Sequence, residues 1–87
     1  MLNTQARRIN SIKIGDTVVL NNKISNASLN LYQKIKIAGL TYIHCACNIK
    51  TGMIFTVVSK FGNGFFIKEN TNGRLYVIHP NDLRVVR

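Results

Sequence analysis

The sequence contains very few acidic side chains. Its 87 residues include only three acids, Asp16, Glu69 and Asp82, against twelve Lys and Arg, so the formal net charge is +9. Few carboxylates are available for general acid–base chemistry, and neither cysteine has a recognisable His-plus-carboxylate setting. No glycine-rich phosphate loop is visible either, because the GNG at residues 62–64 connects strands and no helix follows it. We therefore expect no catalytic residues and no enzyme.

Long apolar runs are missing as well. The longest ones, such as residues 76–78, are only a few residues long, far below the roughly 20 residues that a membrane-spanning helix needs. The N-terminal residues contain no apolar segment typical of a secretory signal. These absences predict a protein without membrane association and with a cytoplasmic location, unless a targeting segment was removed beforehand.

Cysteine is limited to Cys45 and Cys47, with one residue between them. A disulfide across so short a loop is expected to be strained, so we expect two reduced thiols, as is usual in a cytoplasm. His44 and His79 are also of a metal-ligand residue type, but a strand places His44 on the face opposite the two cysteines. Structural zinc usually has four convergent ligands. We therefore expect no metal site and no cofactor.

The C-terminal third is dominated by β-branched and aromatic residues. Three such runs are separated by Asn/Gly turns, which is typical of an antiparallel meander. Pro80 then ends the third strand, and a single helical turn precedes a last short strand. The expected strands are residues 52–60, 65–69, 74–78 and 84–86, with turns at residues 61–64 and 70–73.

The N-terminal half is less regular. We expect residues 1–11 to form either one helical turn or a flexible arm, and residues 12–87 to form one domain. Residues 16–21 are expected to form a strand. Residues 29–37 fit a strand better than a helix, although Leu31 and Ile35 also lie on one helical face. Residues 40–49 are expected to form a strand or a hairpin.

Three segments together resemble a known small fold. They are residues 15–20 (GDTVVL), residues 52–58 (GMIFTVV) and residues 77–86 (VIHPNDLRVV). An opening Gly-Asp-x-Val strand, three tightly turned strands, a helical turn and a last strand resemble the SH3-like small barrels of KOW and Tudor type. The chain departs from KOW units in the long excursion between its first two strands. The resemblance implies a mostly β protein, a single SH3-like barrel, and a binding module rather than an enzyme.

The basic charge predicts a polyanionic partner, with nucleic acid first and an acidic protein second. An AT-rich genome, however, also raises the lysine content without any selection for binding. If residues 65–69 pair with residues 74–78, Phe66 and Lys68 share a face near Lys60, where an aromatic beside lysines suits stacking and phosphate contact. Alternatively, the aromatics cover the barrel ends and the lysines are merely solvated. The predicted nucleic-acid-binding residues are Lys60, Phe61, Phe66, Lys68, Arg74 and Arg84.

Two hypotheses about function follow. The first is a small, non-enzymatic nucleic-acid-binding module that contacts mainly the phosphate backbone of DNA or RNA. The alternative is a protein-interaction regulator, of a size that phages or plasmids encode, which binds an acidic surface of a host enzyme or polymerase. The salt dependence of binding separates the two, because phosphate contacts release counterions. The sequence leaves open which face of the C-terminal hairpin is buried.

Overall fold

The computed structural model describes residues 12–21 and 23–86. The predicted N-terminal arm, residues 1–11, lies outside the described residues. Within them the fold is mostly β, as the sequence predicts, with six strands and one α-helix. None of the described helices is both long enough and apolar enough to cross a bilayer. The elements in chain order are β1 (Thr17–Leu20), α1 (Asn26–Ile37), β2 (Ile43–Cys45), β3 (Ile54–Phe61), β4 (Gly64–Glu69), β5 (Leu75–Ile78) and β6 (Leu83–Val85).

The strands form one mixed sheet in the order β2-β5-β4-β3-β1-β6. The central meander is antiparallel, β6 returns to pair with β1, and β2 adds to β5 in parallel. The predicted meander is therefore confirmed, and the predicted helical turn is a 3₁₀ turn at Pro80–Asp82. The two edges, β2 and β6, do not meet, so the sheet is open and a closed barrel is not seen.

The prediction of a strand over residues 29–37 is wrong, because this segment is part of α1. Residues 34–37 alternate Lys and Ile, but Ile35 is fully buried while Ile37 is 86% exposed. The helical spacing of four residues instead places Leu31 and Ile35 together, and both pack on the sheet. Burial of these two side chains therefore outweighs the local strand-like alternation. Gly39 ends the helix with a φ of +79°, which favours glycine.

The prediction of a strand or hairpin over residues 40–49 is confirmed only in part. A short strand, β2, is followed at once by a 3₁₀ turn, Ala46–Asn48. An extended pair of residues i and i+2 would have Cα atoms roughly 6.6 Å apart. The turn shortens the distance between the Cα atoms of Cys45 and Cys47 to 5.2 Å, within the range that a disulfide spans.

The structure joins Cys45 and Cys47 in a disulfide, so the prediction of two reduced thiols is wrong for this structure. Cys45 is buried at the end of β2, whereas Cys47 is exposed. The Cys45 sulfur also accepts a hydrogen bond from the backbone N–H of Cys47. The bridge therefore closes a very short loop at one edge of the sheet.

Strand β5 is largely buried on both faces, whereas β4 is buried on its inner face and carries the exposed Lys68 on its outer face. On the inner face, five strands contribute to the main core. On the outer face, α1 covers β5 and β2 in a second cluster. The main core comprises Ile12, Val18, Ala46, Phe55, Val57, Phe65, Ile67, Tyr76, Ile78 and Leu83. The second cluster comprises Leu31, Ile35, Ile43 and Val77, with Tyr32, Leu40, Phe61, Phe66 and Leu75 packed around it.

Candidate functional site

All Lys and Arg side chains in the described ranges are exposed. Their ammonium and guanidinium groups can therefore act on a ligand in solvent, and they give the surface a positive potential. These residues are Lys13, Lys23, Lys34, Lys36, Lys50, Lys60, Lys68, Arg74 and Arg84.

Two of the three carboxylates, by contrast, are directed into the protein. Glu69 is 4% exposed, and its two oxygens accept hydrogen bonds from the backbone N–H groups of Thr71 (3.2 Å) and Asn72 (2.9 Å). It therefore stabilises the β4–β5 turn.

Asp82 is 5% exposed and links three parts of the chain. Its Oδ2 accepts hydrogen bonds from the N–H (2.9 Å) and hydroxyl (2.8 Å) of Ser25 and from the hydroxyl of Ser28. Its backbone carbonyl accepts from the N–H of Asn21 (2.7 Å) at the end of β1. The third acid, Asp16, is half-buried and accepts from the N–H of Lys13 (2.9 Å). The acids thus serve the fold, and little carboxylate offsets the basic surface.

A register shift decides where the predicted lysines lie. Val57 pairs with Ile67, but the next pair is Ser59 with Phe66, so Val58 is an extra residue in β3. After this bulge, each side chain of β3 lies on the face opposite to the one that regular alternation would give it. Lys60 pairs with Phe65 and lies on the inner face, at the end of the sheet, since directly paired residues share a face. The expected proximity of Lys60 to Lys68 is therefore wrong, because Lys68 lies on the outer face.

Lys68 and Arg84 share the outer face, on the part of it that α1 leaves uncovered. Lys68 pairs with Thr56, while Val19 pairs with both Ile54 and Arg84. Helix α1 packs on β5 and β2, whereas these side chains are partly or largely exposed. We call this surface the open outer face; it consists of Thr17, Val19, Ile54, Thr56, Lys68 and Arg84.

The open outer face leads into a groove beside the C-terminal end of β1. The groove has a volume of about 550 Å³, and both of its charged side chains, Lys23 and Arg84, are basic. Lys23 is not among the residues predicted from the sequence. The sequence shows only that a basic residue lies in the loop directly after β1. Lys23 and Arg84 line one groove because β1 pairs with β6. We call this site the β1 groove; it is lined by Val19, Leu20, Asn21, Lys23, Thr51, Gly52, Met53 and Arg84.

The two predicted aromatics lie together, but not on the open outer face. The rings of Phe61 and Phe66 stack with centroids 5.1 Å apart and an interplanar angle of 28°. Both are half-buried against the second cluster under α1. Arg74 lies apart, exposed at the β4–β5 turn, where its N–H donates to the side-chain oxygen of Asn72. Of the six predicted residues, the structure places Phe66, Lys68 and Arg84 on the outer face, as the sequence predicts for Phe66 and Lys68. Lys68 and Arg84 are three strand spacings apart, and only Phe61 and Phe66 are in direct contact. Their role in binding stays a prediction.

Within residues 12–21 and 23–86, no three His, Cys, Asp or Glu side chains form a group that could hold a metal. His44 instead packs against Tyr76, with ring centroids 5.6 Å apart. His79 accepts a hydrogen bond at Nδ1 from the N–H of Asn81 (3.1 Å) and so caps the 3₁₀ turn.

Compared with known proteins, the chain matches no family model, no curated protein and no solved structure. Its function is therefore inferred from its own geometry and charge.

Proposed function

We propose that this chain is a small, non-enzymatic nucleic-acid-binding module of the cytoplasm that contacts mainly the phosphate backbone. One observation carries the proposal: every described Lys and Arg is exposed, while Glu69 and Asp82, two of only three acids, are buried. A surface of this kind attracts polyanions and releases their counterions on binding. Backbone contacts carry no direct sequence information, so sequence preference is weak.

The order of the strands supports an SH3-like small barrel as the scaffold. The meander β3-β4-β5 is followed by a 3₁₀ turn, after which β6 returns to pair with the opening strand β1. The motif at residues 15–20 supplies β1. Helix α1 and β2 occupy the long excursion between the first two strands of that pattern. Such scaffolds serve as binding modules, which agrees with a non-enzymatic role.

The open outer face supports contact with phosphates rather than stacking on bases. Its described side chains are two cations, Lys68 and Arg84, with hydroxyl and aliphatic groups between them. The nearest aromatics, Phe61 and Phe66, stack on one another under α1. Thus the lysine and arginine side chains supply most of the affinity, and the aromatics supply packing.

A second candidate function is the docking of an acidic protein surface, as for a small regulator of phage or plasmid origin that binds a host enzyme or polymerase. One observation favours it: Ile54 and Val86 are 45% and 43% exposed, and Ile54 lies on the same face as Arg84. Apolar side chains beside an arginine are typical of the centre of a protein interface.

Fluorescence anisotropy with labelled, mixed-sequence oligonucleotides tests the proposal. Single-stranded DNA, single-stranded RNA and duplex DNA are titrated at low salt, with unlabelled polyglutamate as a competitor. We expect saturable binding, and we expect unlabelled nucleic acids to displace the labelled oligonucleotide. Polyglutamate should displace it poorly, because carboxylates along a flexible chain do not reproduce the spacing of phosphates. Absence of binding, or equal displacement by polyglutamate, contradicts the proposal. The second outcome favours an acidic protein partner.

A further inference from the structure

The β1 groove brings cationic, polar and apolar side chains together in one concave site. Two cations, Lys23 and Arg84, lie among its walls, and the polar side chains of Asn21 and Thr51 stand beside them. The half-buried Leu20 and Met53 add apolar surface. A volume of about 550 Å³ lies within the range of small-molecule sites, which is roughly 300–1,000 Å³.

Gly52 lies in the turn that forms one wall of the groove. This residue has a φ of +93°, a conformation that disfavours other residues, and no atom lies within 4 Å of the position that a Cβ would occupy. On the other side, the loop after β1 is held by the hydrogen bonds of Asp82 to Asn21 and Ser25. These hydrogen bonds hold Asn21 and Ser25, which flank Lys23 in the sequence, and so reduce the ordering cost of binding.

We infer that the β1 groove binds one unpaired nucleotide of a single-stranded nucleic acid, with its phosphates against Lys23 and Arg84 and its base against Leu20 and Met53. This inference rests on the proposed function and assigns its central site. Cations next to an apolar surface match a nucleotide, which carries an anionic phosphate beside a flat, weakly polar base. A duplex keeps its bases stacked inside and presents chiefly phosphates to such a groove, so it leaves the apolar surface unused.

The open outer face continues the path that a bound nucleic-acid strand would take away from the groove. Arg84 belongs to both surfaces, and Lys68 lies three strand spacings away across β1, β3 and β4. Neighbouring strands are about 4.8 Å apart, so the two side chains are separated laterally by about 14 Å. At the roughly 3.4 Å rise of a stacked strand, this distance corresponds to about four nucleotides. An oligonucleotide that reaches both cations therefore binds more tightly than a mononucleotide does.

A charge-matched pair of double variants tests the inference in the full chain. Lys23→Ala/Arg84→Ala removes the groove cations, and Lys34→Ala/Lys36→Ala removes two exposed cations of α1, which lie outside the groove and outside the predicted binding residues; both lower the net charge of +9 by two. The probes are labelled oligo(dT) and oligo(U), a duplex of equal length, and thymidine monophosphate. Amide NMR spectra establish that each variant is folded and, for the wild type, map the shifts caused by oligo(dT).

We expect the groove variant to bind the single strands at least about tenfold more weakly, since two charge-assisted contacts are lost. The control variant should lose no more than about threefold, through the general field alone. In the wild type, oligo(dT) should shift the amides of Asn21, Lys23 and Gly52. Binding of oligo(dT) and of oligo(U) each supports the site, and their ratio tells DNA from RNA.

Four outcomes overturn the inference. Equal losses in the two variants, or oligo(dT) shifts that avoid the groove, mean that nucleic acid binds elsewhere or diffusely, while the proposed function stands. If the duplex binds as tightly as the single strands and loses as much affinity in the groove variant, the groove does not select an unpaired nucleotide. Absence of binding to every oligonucleotide in the wild type removes the proposed function, and the groove assignment with it.

Discussion

The hydroxyl of Ser28 donates a hydrogen bond to the carboxylate of Asp82, across a sequence separation of 54 residues. The same hydroxyl accepts a hydrogen bond from the backbone N–H of His79 (2.8 Å). Together with the contacts of Ser25, these bonds tie the first turn of α1 to the 3₁₀ turn before β6. Since Asn21 is also bound to Asp82, the loop that carries Lys23 is held from both ends. The buried acid thus stabilises the fold and shapes the β1 groove.

Replacing Asp82 with alanine should destabilise the protein substantially. The hydroxyl and N–H donors of Ser25 and Ser28 lose a buried, charged acceptor, which should cost about 2–4 kcal/mol in total. Urea unfolding followed by circular dichroism measures the loss. The neighbouring exposed Asn81 is the control, and Asn81→Ala should stay within about 0.5 kcal/mol of the wild type. Equal stability of the two variants would show that the network contributes nothing.

Phe66→Ala should act on folding rather than on binding. Phe66 is half-buried against the second cluster and stacks on Phe61. Its truncation should therefore cost roughly 2–4 kcal/mol, somewhat below the range for a fully buried phenylalanine. Thermal unfolding measures this loss, and anisotropy under conditions where the variant is folded measures affinity. Suppose instead that stability is unchanged and single-strand affinity falls by about 1–3 kcal/mol. The ring would then stack on bases.

Gly64→Ala should disrupt the contact of the β3–β4 hairpin with α1. A Cβ at this buried position would lie 2.7 Å from the carbonyl oxygen of Ile78 and would overlap a methyl group of Leu31. The backbone of β5 cannot easily retreat, so we expect a loss of about 1–3 kcal/mol from overpacking. Chemical denaturation checks it, with the exposed turn variant Asn63→Ala as the matched control. A Gly64→Ala protein as stable as this control would be evidence against the close packing.

The disulfide should be visible as a mass difference. Intact-mass spectra before and after reduction should differ by two hydrogens, and Cys45→Ser/Cys47→Ser should show no such change. Because the closed loop is so short, the chain-entropy model gives a loss of only about 1–2 kcal/mol for the double variant. We expect no stoichiometric zinc in either protein. An unchanged mass on reduction would mean that both thiols are free.

The sequence predicts local strand structure better than tertiary placement. The meander and the turn at Pro80 are recognisable because each depends on neighbours a few residues away, through turn residues and the missing N–H of proline. Residues 34–37 alternate like a strand, yet they form a helix because Leu31 and Ile35 find an apolar sheet face that no local pattern reveals. Tertiary burial decides this element, not intrinsic propensity.

The sequence indicates the kind of site that we propose, but it does not indicate where that site lies. The net charge indicates a polyanionic partner, and Arg84 was identified from its strand. The bulge at Val58 then moves Lys60 to the other face, and a one-residue insertion of this kind cannot be read from VVSK. Lys23 was missed for a similar reason, since only the pairing of β1 with β6 makes it a neighbour of Arg84.

The dependence of nucleic-acid affinity on salt tests the central claim most directly. The association constant of the wild-type protein for a single-stranded oligonucleotide is measured by anisotropy between roughly 50 and 200 mM salt. We expect its logarithm to fall linearly with the logarithm of the salt concentration, with a slope of about −0.7 for each phosphate contact. Arg84→Ala should reduce this slope by about one contact, whereas Asn63→Ala should leave it unchanged. A flat salt dependence, or no binding at the lowest salt, would contradict a function based on phosphate contacts.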